Sequence, residues 1–193
     1  MANHTSSSRS TTRCLAEGGV CVALAIALSY LKIPIGLAFG GFGGSIDLVM
    51  VPLIVYAVRW GLGWGLGAGL IFGTVKYFLG AHADISWVSI IFDYSVAYLF
   101  VGFAGLTRGA YRKEKLWAMP VGALIGCVCR FVIHFISGVT VYAEYMPEEF
   151  MGVTRLTPSL YSLLYNGTYM LPNTILAVVL GALLAAPLRK LKK

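Results

Sequence analysis

Six long apolar runs occupy most of this 193-residue chain, and they constrain its fold more than any other feature. Only 12% of the residues are charged and 58% are hydrophobic, whereas about a quarter of the residues in a soluble domain are charged. A membrane-spanning helix needs roughly 20 apolar residues, so six spans with short connections use nearly the whole chain. The sequence therefore predicts an all-α integral membrane protein with six transmembrane helices.

The runs comprise residues 15–33, 46–58, 60–79, 85–106, 116–142 and 160–188. A polar lead, residues 1–14, precedes them and is rich in Ser and Thr. We expect this lead to be disordered and residues 15–193 to form a single six-helix membrane domain. Gly80 is placed to end the third helix, and Thr157 and Pro158 are placed to begin the sixth.

The basic residues predict the orientation in the membrane. With six spans, both termini lie on the same side of the membrane as the second and fourth connections. That side carries eleven of the fifteen basic residues: Arg9, Arg13, Arg59, Arg108, Arg112, Lys113, Lys115, Arg189, Lys190, Lys192 and Lys193. The positive-inside rule places this side in the cytoplasm. A nucleic-acid partner is excluded despite the net charge of +7, because the basic residues lie between apolar runs.

Several polar residues lie within the apolar runs, where a charged group is costly and usually faces a cavity or a partner. Asp93, His134 and Asn166 each lie about two helical turns from the outer end of their runs, at a common depth of roughly 10–12 Å. Asp47 lies nearer the outer surface. This convergence predicts a binding site open to the outside, in which we expect Arg130 and Lys76 to neutralise buried carboxylates.

Tyrosines surround this level and allow two interpretations; they are Tyr94, Tyr142, Tyr145, Tyr161, Tyr165 and Tyr169. Tyrosine near the outer rim is typical of an interfacial belt. Two carboxylates with several aromatic rings also suit a planar, cationic ligand, through Coulomb attraction and cation–π contact.

Small residues predict close helix packing in two places. The third run has overlapping GxxxG spacings, which favour packing within the monomer, at Gly61, Gly63, Gly65, Gly67, Gly69 and Gly73. In the first run, Gly19, Ala23 and Ala27 repeat every four residues along one face. That stripe fits either internal packing or the surface of a partner.

Catalytic and metal motifs are missing from the sequence. No GxxxxGK[ST], HExxH or GxSxG motif occurs, so we predict neither an ATPase nor a common hydrolase. Cys127 and His134 share a helical face, but no further ligand has suitable spacing, so we predict packing, no metal and no cofactor. An intramembrane enzyme that uses Asp93 and His134 as acid and base is a further alternative.

Four short segments are more specific. Residues 134–138 read His-Phe-Ile-Ser-Gly and residues 161–167 read Tyr-Ser-Leu-Leu-Tyr-Asn-Gly. Upstream, residues 44–47 read Gly-Ser-Ile-Asp and residues 92–94 read Phe-Asp-Tyr. With these segments the chain resembles the thiamine-specific substrate-binding (S) component of energy-coupling factor (ECF) transporters, the ThiT/YuaJ family, from about residue 15 to the C-terminus.

The resemblance implies a subunit of the bacterial cell membrane that binds thiamine from outside and is not an enzyme. Transport would then require an energising T protein and two cytoplasmic ATPases. The residues that match ligand-lining positions of the family are Asp47, Asp93, Tyr94, His134, Gly138, Tyr142, Tyr161 and Asn166. Asp93 matches the carboxylate that pairs with the bound cation, and Asp47 matches the one that binds the aminopyrimidine.

The resemblance also implies a partner surface and leaves one alternative ligand class. Gly19 and Ala23 match small residues that lie against the T protein, and Ala27 continues their stripe. The same fold could bind another vitamin or precursor, such as a hydroxymethylpyrimidine or pyridoxine. A neutral ligand would not need two intramembrane carboxylates, which favours thiamine.

Overall fold

The computed structural model describes residues 2–36, 43–79 and 86–190, with side chains from residue 10 onward. Its helices are α1 (Ala2–Leu28), α2 (Met50–Trp60), α3 (Leu62–Phe78), α4 (Trp87–Ile90), α5 (Ala97–Val101), α6 (Arg108–Arg112), α7 (Ala118–Thr140) and α8 (Pro158–Lys190). Two-residue strands, β1 (Ile33–Pro34) and β2 (Ser45–Ile46), pair antiparallel, with Ile33 opposite Ile46.

Helices α4, α5 and α6 belong to one continuous segment, which we call the broken helix. A π-helical turn (Ile91–Val96) joins α4 to α5, and a 3-10 turn (Gly102–Thr107) joins α5 to α6. A further 3-10 turn, Ala143–Tyr145, follows α7. The described residues therefore form six main helical segments, in the order that the apolar runs predict.

Four of the segments are long and apolar enough to cross a membrane: Ser10–Leu28, Trp87–Arg112, Ala118–Thr140 and Pro158–Lys190. The other two, α2 and α3, have 11 and 17 residues. Many large apolar side chains are exposed, including Val20 on α1, Trp87 on the broken helix and Leu183 on α8. Apolar outer faces on apolar helices are typical of a membrane protein.

The first helix differs from its prediction at both ends. It begins at Ala2, so the polar lead that we expected to be disordered is part of α1. The end of this lead is held in place, because the Tyr56 hydroxyl donates to the Cys14 carbonyl (3.2 Å) and Arg13 pairs with Glu17 one turn later (2.9 Å). At its other end α1 stops at Leu28.

Between α1 and α2, the described residues include a small strand pair that the all-α prediction did not include. Ile33, assigned to the first run, lies in β1, and Ile46, assigned to the second, lies in β2. Their backbones pair with each other, so these apolar residues continue no helix. Residues 37–42 of the first outer connection, the predicted stop at Gly80 and the connection 80–84 lie outside the described residues.

Close packing of α3 on the broken helix confirms the internal interpretation for one face of the GxxxG stripe, while a Cβ added at Gly63 or Gly67 meets no atom within 4 Å. A Cβ added at Gly69 would lie 2.1 Å from the Tyr98 carbonyl oxygen, and one at Gly73 would lie 2.3 Å from that of Tyr94. Because only glycine permits this approach, the stripe holds the backbone of the broken helix directly against α3. This contact positions the part of the broken helix that carries Asp93.

The start of α8 agrees with its predicted cap. The helix begins at Pro158, and the Thr157 hydroxyl accepts a hydrogen bond from the Leu160 amide at 3.2 Å. A threonine N-cap followed by proline satisfies the free amides of the first turn. The long packed contact between α7 and α8 then brings His134 and Asn166 together.

Candidate ligand-binding site

Asp93 lies in the π-helical turn of the broken helix, and its side chain is 17% exposed. Turns of this kind inside α-helices occur often at functional sites, because they redirect side chains and free backbone groups. The neighbouring Tyr94 ring packs edge-on against Tyr77 of α3, with 5.6 Å between centroids. The turn thus directs a carboxylate toward α7 while an adjacent aromatic ring faces α3.

Two side chains of α7 bind the Asp93 carboxylate. His134 Nδ1 lies 3.1 Å from Oδ1, and the Ser137 hydroxyl donates to Oδ2 at 3.1 Å. His134 and Ser137 are three residues apart, so they lie on the same helical face. The carboxylate therefore has one hydrogen-bond donor on each oxygen.

Arg130 determines which tautomer His134 adopts. Its Nε lies 3.2 Å from His134 Nε2, and a guanidinium can only donate hydrogen bonds. Nε2 must therefore be the acceptor, and the ring proton is on Nδ1, where it is donated to Asp93. His134 is a neutral donor in this arrangement, because a protonated ring would direct an N–H group at Arg130.

The guanidinium of Arg130 also contacts Tyr98. Nη2 donates to the Tyr98 hydroxyl at 3.1 Å, and the guanidinium carbon lies 4.1 Å from the ring centroid. Nη1 is buried and has no hydrogen-bond partner among the described residues, so it can donate to a water or to an acceptor on a ligand. Lys76 donates to the same Tyr98 hydroxyl at 2.7 Å.

These contacts correct the expectation that Arg130 and Lys76 neutralise buried carboxylates directly. Arg130 reaches Asp93 only through His134, and Lys76 binds a phenol. Among the described residues no lysine or arginine forms an ion pair with Asp93. The carboxylate is therefore held by neutral donors and keeps its negative charge available to a cation.

One face of α8 is lined by buried polar side chains: Ser162, Asn166, Tyr169 and Asn173. Their spacing of three to four residues places them on a common stripe. Asn166 donates to the His134 carbonyl at 3.3 Å and accepts a hydrogen bond from the Tyr169 hydroxyl. The Tyr169 ring lies edge-on to His134, with 6.0 Å between centroids. This stripe forms a wall of the site beside Asp93 and His134.

Asp47 is held beside Asn173, seven residues further from the start of α8 than Asn166, so the prediction that Asp47 lies nearer the mouth of the site than Asn166 is wrong. Its backbone amide donates to Asn173 Oδ1 at 2.9 Å, and Asn173 donates in turn to the Ser45 carbonyl at 2.7 Å. The carboxylate accepts from the Ser45 hydroxyl and from the Val49 amide, at 3.0 and 3.1 Å. Asp47 thus caps the turn before α2 and is nearly buried, separate from the group around Asp93.

Aromatic rings cover the first turns of α8. Tyr161 and Tyr165 stack at 5.6 Å with their planes 24° apart, and Phe150 packs edge-on against Tyr161 at 5.3 Å. The Tyr165 hydroxyl exchanges hydrogen bonds with the backbone of Gly43. The ring stack therefore joins α8 to the connection between β1 and β2, and it adjoins the Asn166–Tyr169 pair.

The remaining predicted residues have different surroundings. A Cβ added at Gly138 would lie 2.2 Å from the Ser162 hydroxyl, so this glycine permits the close approach of α7 and α8. Tyr142 follows the end of α7 and is half-buried. Cys127 is buried and lies 3.8 Å from the Met50 sulfur. No group of three metal-ligating side chains occurs within the part of the chain that the structure describes.

Sequence reasoning missed Tyr98, Ser137 and Asn173. Each is buried, polar and bonded to a predicted residue. The spacing of Ser137 from His134, and of Asn173 from Asn166, on one helical face was the available signal. Tyr98 gave no such signal, because the π-helical turn before it alters the direction of its side chain.

Comparison with known proteins decides the family. The profile of the family described as "Thiamine transporter protein (Thia_YuaJ)" matches residues 15–193. The chain belongs to this thiamine transporter family. It is 32% identical over 151 residues to the thiamine transporter ThiT of Bacillus subtilis, covering 74% of this chain and 75% of that protein. It is 30% identical over 180 residues to ThiT of Lacticaseibacillus paracasei, covering 87% and 85%.

The fold agrees with a solved member of the thiamine transporter family. ThiT from Listeria monocytogenes superimposes with a TM-score of 0.80 over 94% of this chain and 98% of that one, at 24% sequence identity. Membership of a transporter family sets aside the intramembrane enzyme that the pair of Asp93 and His134 suggested. The chain is a bacterial membrane protein of this transporter family.

Proposed function

We propose that this protein is the S component of an ECF importer and binds thiamine through the Asp93 carboxylate. The observation that carries the proposal is that Asp93 is partly exposed and, among the described residues, accepts hydrogen bonds only from the neutral donors His134 and Ser137. An uncompensated charge in a membrane is costly. A thiazolium cation beside Asp93 would complete the ion pair and lower that cost.

The surrounding residues supply the other interactions that thiamine needs. The stacked rings of Tyr161 and Tyr165 offer flat, electron-rich faces, which favour a planar cation. Asn166 belongs to the α8 stripe, and Asp47 is bonded to the stripe through Asn173; we assign the aminopyrimidine to the hydrogen-bonding groups of these two residues. Tyr94, which follows Asp93 in the π-helical turn, and Tyr142, which follows α7, are the further lining residues that we assign, while Gly138 acts through helix packing.

In the proposed topology the chain crosses the membrane six times, with both termini in the cytoplasm. The two shorter helices, α2 and α3, complete the six spans, and the excess of basic residues on the terminal side supports the orientation. Asp93 then lies near the outer surface. Binding from outside follows from this placement.

Energy must come from partner proteins, because the sequence has no phosphate-binding motif. We assign the partner surface to Gly19, Ala23 and Ala27, which are exposed on α1. A Cβ added at Gly19 meets no atom within 4 Å, so packing within the described part of the subunit does not require a small residue at this position. An ECF T protein would seat its helices there, and two cytoplasmic ATPases would drive transport.

The direct test is ligand titration of the purified protein with Asp93→Asn, which keeps the shape of the side chain and removes its charge. Loss of a desolvated charge pair costs on the order of 2–5 kcal/mol, or tens- to thousands-fold in affinity. Asp47→Asn is the matched control and should lower the affinity for thiamine less than Asp93→Asn does, because an amide partly replaces a hydrogen-bonding carboxylate.

Two further titrations separate the alternatives. A neutral thiamine analogue should bind the wild-type protein weakly and bind Asp93→Asn almost equally well. Thiamine should also displace hydroxymethylpyrimidine and pyridoxine at low molar ratio. If Asp93→Asn binds thiamine as tightly as the wild-type protein, another group holds the cation. If pyridoxine displaces thiamine instead, the assignment of thiamine as the ligand is wrong.

A further inference from the structure

A second polar site lies at the opposite end of the broken helix from Asp93. An open pocket with a volume of about 250 Å³ lies between the middle of α1, the end of α2 and the helix α6. Its lining consists of four arginines and two aromatic residues: Arg13, Arg59, Arg108, Arg112, Trp60 and Tyr111. We call it the basic pocket; it takes no part in the binding proposed at Asp93.

Only one carboxylate interacts with these arginines among the described ion pairs. Glu17 accepts from Arg13 at 2.9 Å, from Arg59 at 3.1 Å and from the Trp60 indole at 2.8 Å. Four positive charges and one negative charge give the pocket a formal charge of +3. Glu17 therefore fixes the positions of Arg13 and Arg59 without neutralising the pocket as a whole.

Arg108 has an unused donor inside the pocket. Its Nε is buried and has no hydrogen-bond partner within the described part of the chain. The side chain lies over Gly61, where an added Cβ would be 2.8 Å from the Arg108 Cδ. Gly61 thus makes room for the guanidinium, and a buried N–H group without a partner is costly unless a ligand or water accepts from it.

We propose that the basic pocket binds the phosphate of an anionic phospholipid. Arginine is the residue best suited to phosphate oxygens, and basic pockets between membrane helices on the cytoplasmic side bind anionic headgroups. Exposed Leu15 and Leu106 lie within two residues of Arg13 and Arg108. These apolar side chains give acyl chains a surface beside the arginines, which a free phosphate ion would not need.

The test compares the full-length protein with Arg108→Gln/Arg112→Gln, and with Lys113→Gln/Lys115→Gln as the matched control. The control removes two exposed charges from the same end of the molecule, outside the pocket. Each protein is titrated in detergent with phosphatidylglycerol, phosphatidylcholine and inorganic phosphate, and bound lipid is counted by native mass spectrometry. Circular dichroism and size-exclusion chromatography report whether each variant is folded.

Phosphatidylglycerol should bind the wild-type protein and the control in preference to phosphatidylcholine. The pocket variant should bind it about 30-fold more weakly, which corresponds to about 2 kcal/mol for two arginines. Equal lipid binding by the pocket and control variants would overturn the assignment. So would competition by millimolar inorganic phosphate, since the ligand would then be a free anion.

Two further measurements test the lipid site. If the double variant does not fold, Arg112→Gln alone, at an exposed position, should still weaken phosphatidylglycerol binding several-fold; unchanged binding would refute the lipid site. If a folded pocket variant keeps its lipid and yet loses uptake in cells, the arginines serve a partner protein instead. Thiamine titration of the same samples reports separately on the site at Asp93.

Discussion

Nε of Arg130 lies 3.2 Å from Nε2 of His134, one helical turn further along α7. This contact assigns the ring proton to Nδ1, which faces Asp93. In the proposed site, Arg130 acts on ligand binding without touching the carboxylate, because it keeps the histidine neutral and leaves Asp93 without a lysine or arginine partner among the described residues. The arrangement has a testable consequence for pH dependence.

Arg130→Met should make thiamine binding weaker at pH 6 than at pH 8. Without the guanidinium, no arginine N–H faces Nε2 of His134, so the ring can take up a proton there as the pH falls. The resulting imidazolium would pair with Asp93 and compete with the cationic ligand. Fluorescence titration at both pH values measures the effect, and we expect on the order of a tenfold loss at pH 6.

Lys76→Met is the matched control for this variant, because Lys76 also donates to Tyr98 but acts on His134 only through its charge and less strongly than Arg130. It should retain the wild-type pH profile. Equal pH dependence in both variants would mean that total charge, and not the tautomer of His134, governs the affinity.

Gly138→Ala should destabilise the protein by about 1–3 kcal/mol, as expected for overpacking. The new methyl group would lie 2.2 Å from the Ser162 hydroxyl and force α7 and α8 apart. Gly167→Ala is the control, since an added Cβ there meets no atom within 4 Å. Thermal unfolding midpoints compare the two, and Ser162→Gly should partly rescue Gly138→Ala. If Ser162→Gly does not raise the unfolding midpoint of Gly138→Ala, the destabilisation does not come from this contact.

Single cysteines at Glu148 and Lys113 test the proposed orientation. Both positions are exposed, and the background lacks the four native cysteines, Cys14, Cys21, Cys127 and Cys129. An impermeant thiol reagent should label position 148 on intact cells and position 113 only after permeabilisation. The reverse pattern would place the termini outside the cell and the Asp93 site on the cytoplasmic side.

Ala23→Trp should abolish thiamine uptake in cells while thiamine binding by the purified protein stays unchanged. A large ring on the exposed stripe of α1 would keep a partner helix from approaching closely. Ala182→Trp, an exposed alanine on α8, provides the control and should transport normally. Co-purification with the T protein and normal uptake by Ala23→Trp would show that another face binds the partner.

The sequence by itself determined the class of the protein and the common depth of three polar residues. Hydropathy along the chain identifies the helical runs, because each membrane helix must be apolar over its own length. The fixed rise of a helix then places Asp93, His134 and Asn166 at one depth. The structure brings His134 into contact with both of the others, in agreement with that simple measure.

Only the tertiary structure decided which side chains meet at that depth. The donors on Asp93 are His134 and Ser137, while Arg130 binds Tyr98 and the far side of the imidazole. Such pairing depends on how each helix is rotated about its axis, and the π-helical turn changes that rotation within the broken helix. Hydropathy and rise carry no information about rotation between helices, so the partners of Asp93 could not be read from the sequence.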